Sequence, residues 1–247
     1  MKNCYLEKYL TNDTEVDINE NLSVIDVLRL MQRVTFAHSQ ELGLAHQTMI
    51  DRDNAFWVIT KMKVVLNKQI KSNQKVVLKT WTHRPMAVRF TRDLQIKNKN
   101  SVWVKGRSEW CCLDYTTRML RRANSIQYPE MDMVELKENE IFFSNLVSTV
   151  EQKNYVYTKI VRPTDLDVNM HTNNLKYSVM AMDAFTVDEL KKYEIKEYEI
   201  YFVNESRLGD KIDIYKKRVD GLWYIEGKVE DKTIFKVVIK TKKRKTN

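Results

Sequence analysis

Glycine and proline are scarce in this 247-residue chain, at 5 and 3 copies. Neither G-x-G-x-x-G nor G-x-x-x-x-G-K-[ST] can be written from Gly43, Gly106, Gly209, Gly221 and Gly227. Phosphate cradles of the Rossmann and P-loop kinds are therefore excluded. Collagen-like and Pro-rich linker compositions fall with them. The cysteines, Cys4, Cys111 and Cys112, are odd in number, with two adjacent and no C-x-x-C. That is neither a disulfide framework nor a zinc or redox motif. His38, His46, His83 and His171 form no H-x-x-x-H pair, so no metal site and no cofactor is expected. No stretch approaches the ~18 apolar residues of a membrane span. The opening MKNCYLEKYL has no long apolar run after its lysine, so no signal peptide is expected and the chain reads as cytosolic and reduced.

What is present belongs to a folded protein. Hydrophobic residues make up 43% and charged residues 30%, unlike a disordered chain. The length suits one large domain or two of roughly 100–150 residues. The net charge of +9 can steer nucleic acid, anionic lipid or an acidic protein partner. Residues 240–245, KTKKRK, read as a solvated tail. Elsewhere basic and acidic residues interleave along strand-like stretches, which argues against a nucleic-acid face.

Ser23, with Asp26 three residues on, resembles a capping box. Val24, Val27, Leu28, Met31 and Val34 follow at helical spacing, and Gly43 is a stop, so the helix should run to about Leu42. The period then changes to two. Phe56, Val58, Thr60, Met62, Val64 and Leu66 should share one face of a strand. Residues 75–83, 88–97 and 102–113 read as three more strands. Residues 116–150 lack sustained alternation and read as a connection with short helical pieces. The order then repeats: a strand over 155–161, a helix over 173–191, and strands over 198–204, 211–217, 222–229 and 233–240. The second helix, with Val179, Met180, Ala181, Met182, Ala184 and Phe185, is apolar round most of its girth and should be buried. The expected class is α+β, a double hot dog: two tandem repeats of a helix wrapped by an antiparallel sheet. Their bounds are 1–125 and 151–247, with 126–150 connecting them.

Residues 165–174, DLDVNMHTNN, carry the chemistry. In an extended chain Asp165, Asp167, Asn169, His171 and Asn173 share one side, and Leu166, Val168 and Met170 anchor the strip from the other. Asn173 or Thr172 can cap the following helix. Its free N–H groups would then face the same place as His171, where a developing oxyanion would be stabilised. A polar strip before a helix is often only a capped loop, but here four kinds of hydrogen-bonding side chain converge in phase. Residues 11–22 hold no D-x-N-x-H strip, so one active site per chain is expected.

The stretch DVNMHTNNLKY, residues 167–177, resembles the D-x-N-x-H-x-N-N-x-K-Y signature of the acyl-acyl carrier protein (acyl-ACP) thioesterases of plants and bacteria. Asn204-Glu205-Ser206 is similar to the family's Glu followed by Cys. AFWVIT at 55–60 with TWTHRPMAVRFTRDLQI from Thr80, and SEWCCLDYTTRML at 108–120, resemble further family elements in the right order. The resemblance implies hydrolysis of the thioester between a fatty acyl chain and its acidic carrier protein. Asp167, Asn169, His171 and Glu205 match the family's catalytic positions. Ser206 departs from the family's Cys, and Cys111 and Cys112 lie in the other half, so a covalent cysteine route is not expected.

On that reading Glu205 is general base for a water. His171 and the helix N–H groups polarise the carbonyl, Asn169 positions water or carbonyl, and Asp167 holds its neighbours. Asn173 and Ser206 line the substrate, with Ser206 activated by His171 as the alternative covalent route. The resemblance puts the acyl tunnel in the first half, where Trp57, Met31, Val34 and Phe36 are candidate walls, with ordinary core packing as the alternative for each. Arg84, Arg89, Arg92 and Lys176 are candidates for docking the carrier protein. An acyl-CoA thioesterase, a hydroxyacyl dehydratase and a non-catalytic acyl-binding protein remain as alternatives. Neither nucleic acid nor membrane insertion is expected. Two chains could pair through sheet edges as a homodimer, although tandem repeats already supply the paired unit.

Overall fold

Ser23 opens a helix because its hydroxyl accepts the N–H of Asp26 at 3.0 Å, while Gly43, at φ 66°, sits past the helix end. The protein, a computed structural model describing residues 3–99, 101–130, 141–146 and 150–244, divides into two compact units, Met1–Phe142 and Phe143–Asn247.

The first unit holds β1 (Cys4–Leu10), α1 (Val24–Glu41), α2 (His46–Asp53), β2 (Ala55–Leu66), β3 (Lys75–Thr82), β4 (Phe90–Asn98), β5 (Ser101–Asp114) and the short β6 (Leu120–Arg121). Its antiparallel order is β1-β3-β4-β5-β2, with β6 on β5. Val27, Leu28, Met31 and Val34 of α1 are buried, each burial being worth about 1.5–3 kcal/mol. Gly106 of β5 makes room for them: a Cβ there would lie 3.1 Å from Met31 Sδ.

The second unit repeats the build with β7 (Tyr155–Ile160), α3 (Asn174–Asp183), α4 (Val187–Lys192), β8 (Tyr193–Phe202), β9 (Lys211–Val219), β10 (Leu222–Val229) and β11 (Lys232–Lys243). The order β8-β11-β10-β9-β7 matches β2-β5-β4-β3-β1 strand for strand. Tyr177, Met180 and Ala181 of α3 are buried, as are Tyr198, Ile225, Phe235 and Val237 of the sheet. Gly227 of β10 pairs with Phe235 of β11, and a Cβ at Gly227 would run into that ring. The Phe235 ring packs in turn 5.3 Å from Tyr177.

Several expectations need correction. The helix expected over 173–191 is two helices. Thr186 accepts the N–H of Glu189 at 3.2 Å, and the Glu189 carboxylate accepts the N–H of Thr186 at 2.9 Å, so a capping box starts α4 afresh. Nor is the second helix buried all round, since Val179 is exposed. In β2 a bulge between Ile59 and Lys61 resets the alternation, so Ile59 rather than Val58 or Thr60 joins Met62, Val64 and Leu66 inside. Strand β1 and helix α2 were not foreseen; only Met49 of α2 is buried. Residues 240–243 end β11 rather than trailing as a tail. Of the segment 126–150, residues 131–140 and 147–149 lie outside the described residues; single 3-10 turns stand at Ala123–Ser125 and Gln152–Asn154. Among the described residues no helix is long and apolar enough to cross a membrane.

Candidate active site

Residues 165–173 do not run straight. After a 3-10 turn at Pro163–Asp165, the Asp167 carboxylate accepts the N–H of Asn169 at 2.8 Å and of His171 at 3.3 Å. The Asp167 N–H meets His171 O at 2.8 Å, and Leu166 bridges to Thr172. An Asp that captures N–H groups two and four residues on competes with the extended form, and here it closes a tight loop. Two of the three expected apolar anchors are therefore outside, Val168 at 90% and Met170 at 64% exposed, with Met170 at φ 62°, while Leu166 is half-buried. Asn169 stands exposed on the same turn.

Asp165 leaves the line of polar groups altogether. It is buried, accepts the N–H of Arg162 at 2.9 Å, and pairs with Lys159 at 3.2 Å and Lys176 at 3.7 Å. Burial pushes its carboxyl up, but that N–H and the two ammonium groups outweigh it and hold the carboxyl below the ordinary value. Asn173 caps α3, accepting the N–H of Leu175 at 3.0 Å.

The loop brings His171 to Glu205, in the segment after β8: Nε2 lies 3.1 Å from Oε2. The imidazole side chain is 17% exposed and the carboxylate 53%. A clasp behind them fixes both backbones. Thr172 N donates to Ser206 O at 2.9 Å, and Ser206 N donates to Tyr177 OH at 3.1 Å. Thr172 Oγ1 donates to Ser206 O at 3.2 Å. Ser206 Oγ lies 2.7 Å from Thr172 Oγ1 and 2.9 Å from Tyr177 OH. Either hydroxyl can donate in each pair; the arrangement that gives every proton an acceptor has Thr172 donating to the carbonyl, Ser206 to Thr172 and Tyr177 to Ser206. Burial pushes the Tyr177 phenol above its ordinary value, against the hydrogen bonds with Ser206 and Thr172, so it keeps the proton it donates. Asn204 Nδ2 anchors the segment on Thr233 O at 2.7 Å. Sequence reasoning gave Tyr177 and Thr172 no part in this clasp, although both stand in the quoted 167–177 stretch.

Other candidates lie elsewhere. Trp57, in the first unit, donates from Nε1 to Leu44 O at 2.9 Å and meets Phe90 edge-on at 4.8 Å, within a core of Leu42, Leu44, Met49 and Cys112. Met31 and Val34 are core as well, and Phe36 is exposed, so it is no buried wall. Arg92 is buried with Nη1 2.7 Å from His38 Nδ1 and presents no surface charge. Burial raises the Cys111 and Cys112 thiols, which disfavours thiolate at either. Among the described residues no group of three or more His, Cys, Asp or Glu is placed to hold a metal ion.

Comparison with known proteins adds the following. The family model for the acyl-ACP thioesterase N-terminal domain matches residues 2–126, and that for the C-terminal domain residues 148–247. The chain is 24% identical over 225 residues to oleoyl-acyl carrier protein thioesterase 2, chloroplastic, of Arabidopsis thaliana, covering 85% of this chain and 61% of that relative. It is thus similar to less than two thirds of the relative's length. Among solved structures it is similar to an acyl-ACP thioesterase from Bacteroides thetaiotaomicron, with TM-score 0.85, 18% identity and coverage of 97% and 98% of the two chains. A 12:0-ACP thioesterase from Umbellularia californica gives TM-score 0.84, 16% identity and 99% coverage of both. The fold is the double hot dog expected from the repeated order of elements.

Proposed function

Since the chain belongs to the acyl-ACP thioesterase family, we propose that it hydrolyses fatty acyl-ACP to the free fatty acid and the carrier-protein thiol, at the His171–Glu205 pair. The reading rests on the 3.1 Å separation of Nε2 and Oε2. A carboxylate only accepts, so the imidazole carries its proton on Nε2 and orients Oε2, leaving Oε1 for a water. Glu205 takes a proton from that water as its oxygen bonds the thioester carbon. The oxyanion then collapses, the C–S bond breaks, and the proton passes to the departing sulfur. A positioned base of this kind contributes typically ~10²–10⁴-fold.

The Nε2–H is spent on Glu205. Polarisation of the carbonyl therefore passes from the imidazole to the Asn169 carboxamide and backbone N–H groups, where one donor is typically worth ~2.7–4 kcal/mol. Asp167 acts by holding the N–H groups of Asn169 and His171, and Asn173 by capping α3. The covalent route through Ser206 is disfavoured because the partners of its hydroxyl are Thr172 Oγ1 and Tyr177 OH rather than an imidazole. The carrier protein, as an acidic partner, suits the +9 charge.

Glu205→Gln tests the reading by thiol release from acyl-ACP. The expected loss in kcat is ~10²–10⁴-fold, and a fully active variant rejects the water route. Parallel assays on acyl-CoA and hydroxyacyl-ACP separate this activity from a CoA thioesterase and a dehydratase. Binding of an acyl chain without any thiol release would mark a non-catalytic binder.

A further inference from the structure

The loop that carries His171 has a counterpart in the first unit. Residues 11–24 and 161–174 pass through the same steps: a 3-10 turn (Asp13–Glu15; Pro163–Asp165), an isolated bridge (Val16 to Leu22; Leu166 to Thr172) and a capped helix. Asp17 accepts the N–H of Asn19 at 2.8 Å and of Asn21 at 3.1 Å, as Asp167 does those of Asn169 and His171. Asp17 N meets Asn21 O at 2.7 Å, as Asp167 N meets His171 O. Glu20, at φ 58°, repeats Met170. Asn21 therefore stands where His171 stands.

The partner segment is repeated too. Leu22 N donates to Ile70 O at 2.6 Å, as Thr172 N does to Ser206 O. Asn67 and Lys68 both donate to Trp103 O, as Val203 and Asn204 both donate to Ile234 O. Lys71 N is capped by the Gln74 side chain, as Arg207 N is by Asp210. Counting along this register, Gln69 stands where Glu205 stands.

We propose that the first unit carries a silenced twin of the candidate site, with the carboxamides of Asn21 and Gln69 in place of imidazole and carboxylate. Carboxamides donate and accept hydrogen bonds but do not serve as proton-transfer bases near neutral pH. Asn21 is also 3% exposed, so its carboxamide is closed to solvent as well as inert. The loop has the shape without the proton-transfer groups, which limits these two loops to one hydrolytic centre. That silencing rests on the hydrolytic reading of His171 and Glu205; the twin geometry does not.

The test is proton NMR on the whole chain. In the Asn21→His/Gln69→Glu variant, the introduced imidazole should titrate about one pH unit higher than in Asn21→His alone, through the carboxylate beside it. Equal titration in both overturns the twin. Should the variants not fold, the unmodified chain decides: a nuclear Overhauser contact between the Asn21 and Gln69 amide protons is expected, and its absence overturns the proposal. His171→Asn/Glu205→Gln writes the amide pair into the second unit, and hydrolysis should fall at least ~10²-fold with melting unchanged. Retained turnover would overturn the hydrolytic reading and the silencing with it, whereas a missing pairing at positions 21 and 69 overturns the twin alone.

Discussion

At the scale of single residues, Ser206 separates the chemistries open to the site. Its hydroxyl is hydrogen-bonded to those of Thr172 and Tyr177 and is fully buried. Ser206→Ala leaves two buried hydroxyls short of a partner, which should cost about 1–3 kcal/mol of stability. Thermal melting should fall while thiol release stays within about tenfold of the parent, since the proposed base is untouched. A collapse of turnover to the level of Glu205→Gln would make Ser206 the nucleophile instead. The same scale explains what the sequence hid. His171 and Glu205 could be picked out as candidates from their residue types and from the family signature. The outward placing of Val168 and Met170 could not be read from alternation, because one side chain, Asp167, folds the strip on itself. The Asp-x-Asn spacing was the available sign of that turn.

At the scale of elements, a chain of contacts links the far sheet to the candidate site: Gly227 beneath Phe235, Phe235 against Tyr177, and Tyr177 bonded to Ser206 next to Glu205. Gly227→Ala forces the Phe235 ring toward α3. Overpacking of this kind costs typically ~1–3 kcal/mol. The variant should melt lower and show reduced kcat with little change in KM, as the clasp loosens. Unchanged melting and turnover would mean that the ring shifts freely. Legibility differed by element. The start of α1 was readable because Ser23 is followed by an apolar run in phase. The break before α4 had an equally plain sign, Thr186 three residues before Glu189, masked by the apolar run through Phe185. The β2 bulge has no such sign, because it comes from the register with β5 rather than from its own residues.

At the scale of the whole molecule, the +9 charge should make docking of an acidic carrier protein depend on ionic strength. Screening shortens from ~10 Å at 0.1 M salt to ~3 Å at 1 M. KM for acyl-ACP should rise on the order of tenfold across that range while kcat holds. A salt-independent KM would remove electrostatics from docking. The repeat order of helix and strands was legible as a pattern of periods, yet its clearest mark, TEVDIN at 14–19 against TDLDVN at 164–169, escapes a search for the full D-x-N-x-H motif. It escapes because only the scaffold half of the motif is shared. That division gives the molecule an internal control. Asp17→Ala and Asp167→Ala should cost comparable stability, since each removes the same two backbone bonds. Whatever turnover the second loses beyond the first is then attributable to what its loop does for the substrate, with the expense of mere architecture already subtracted.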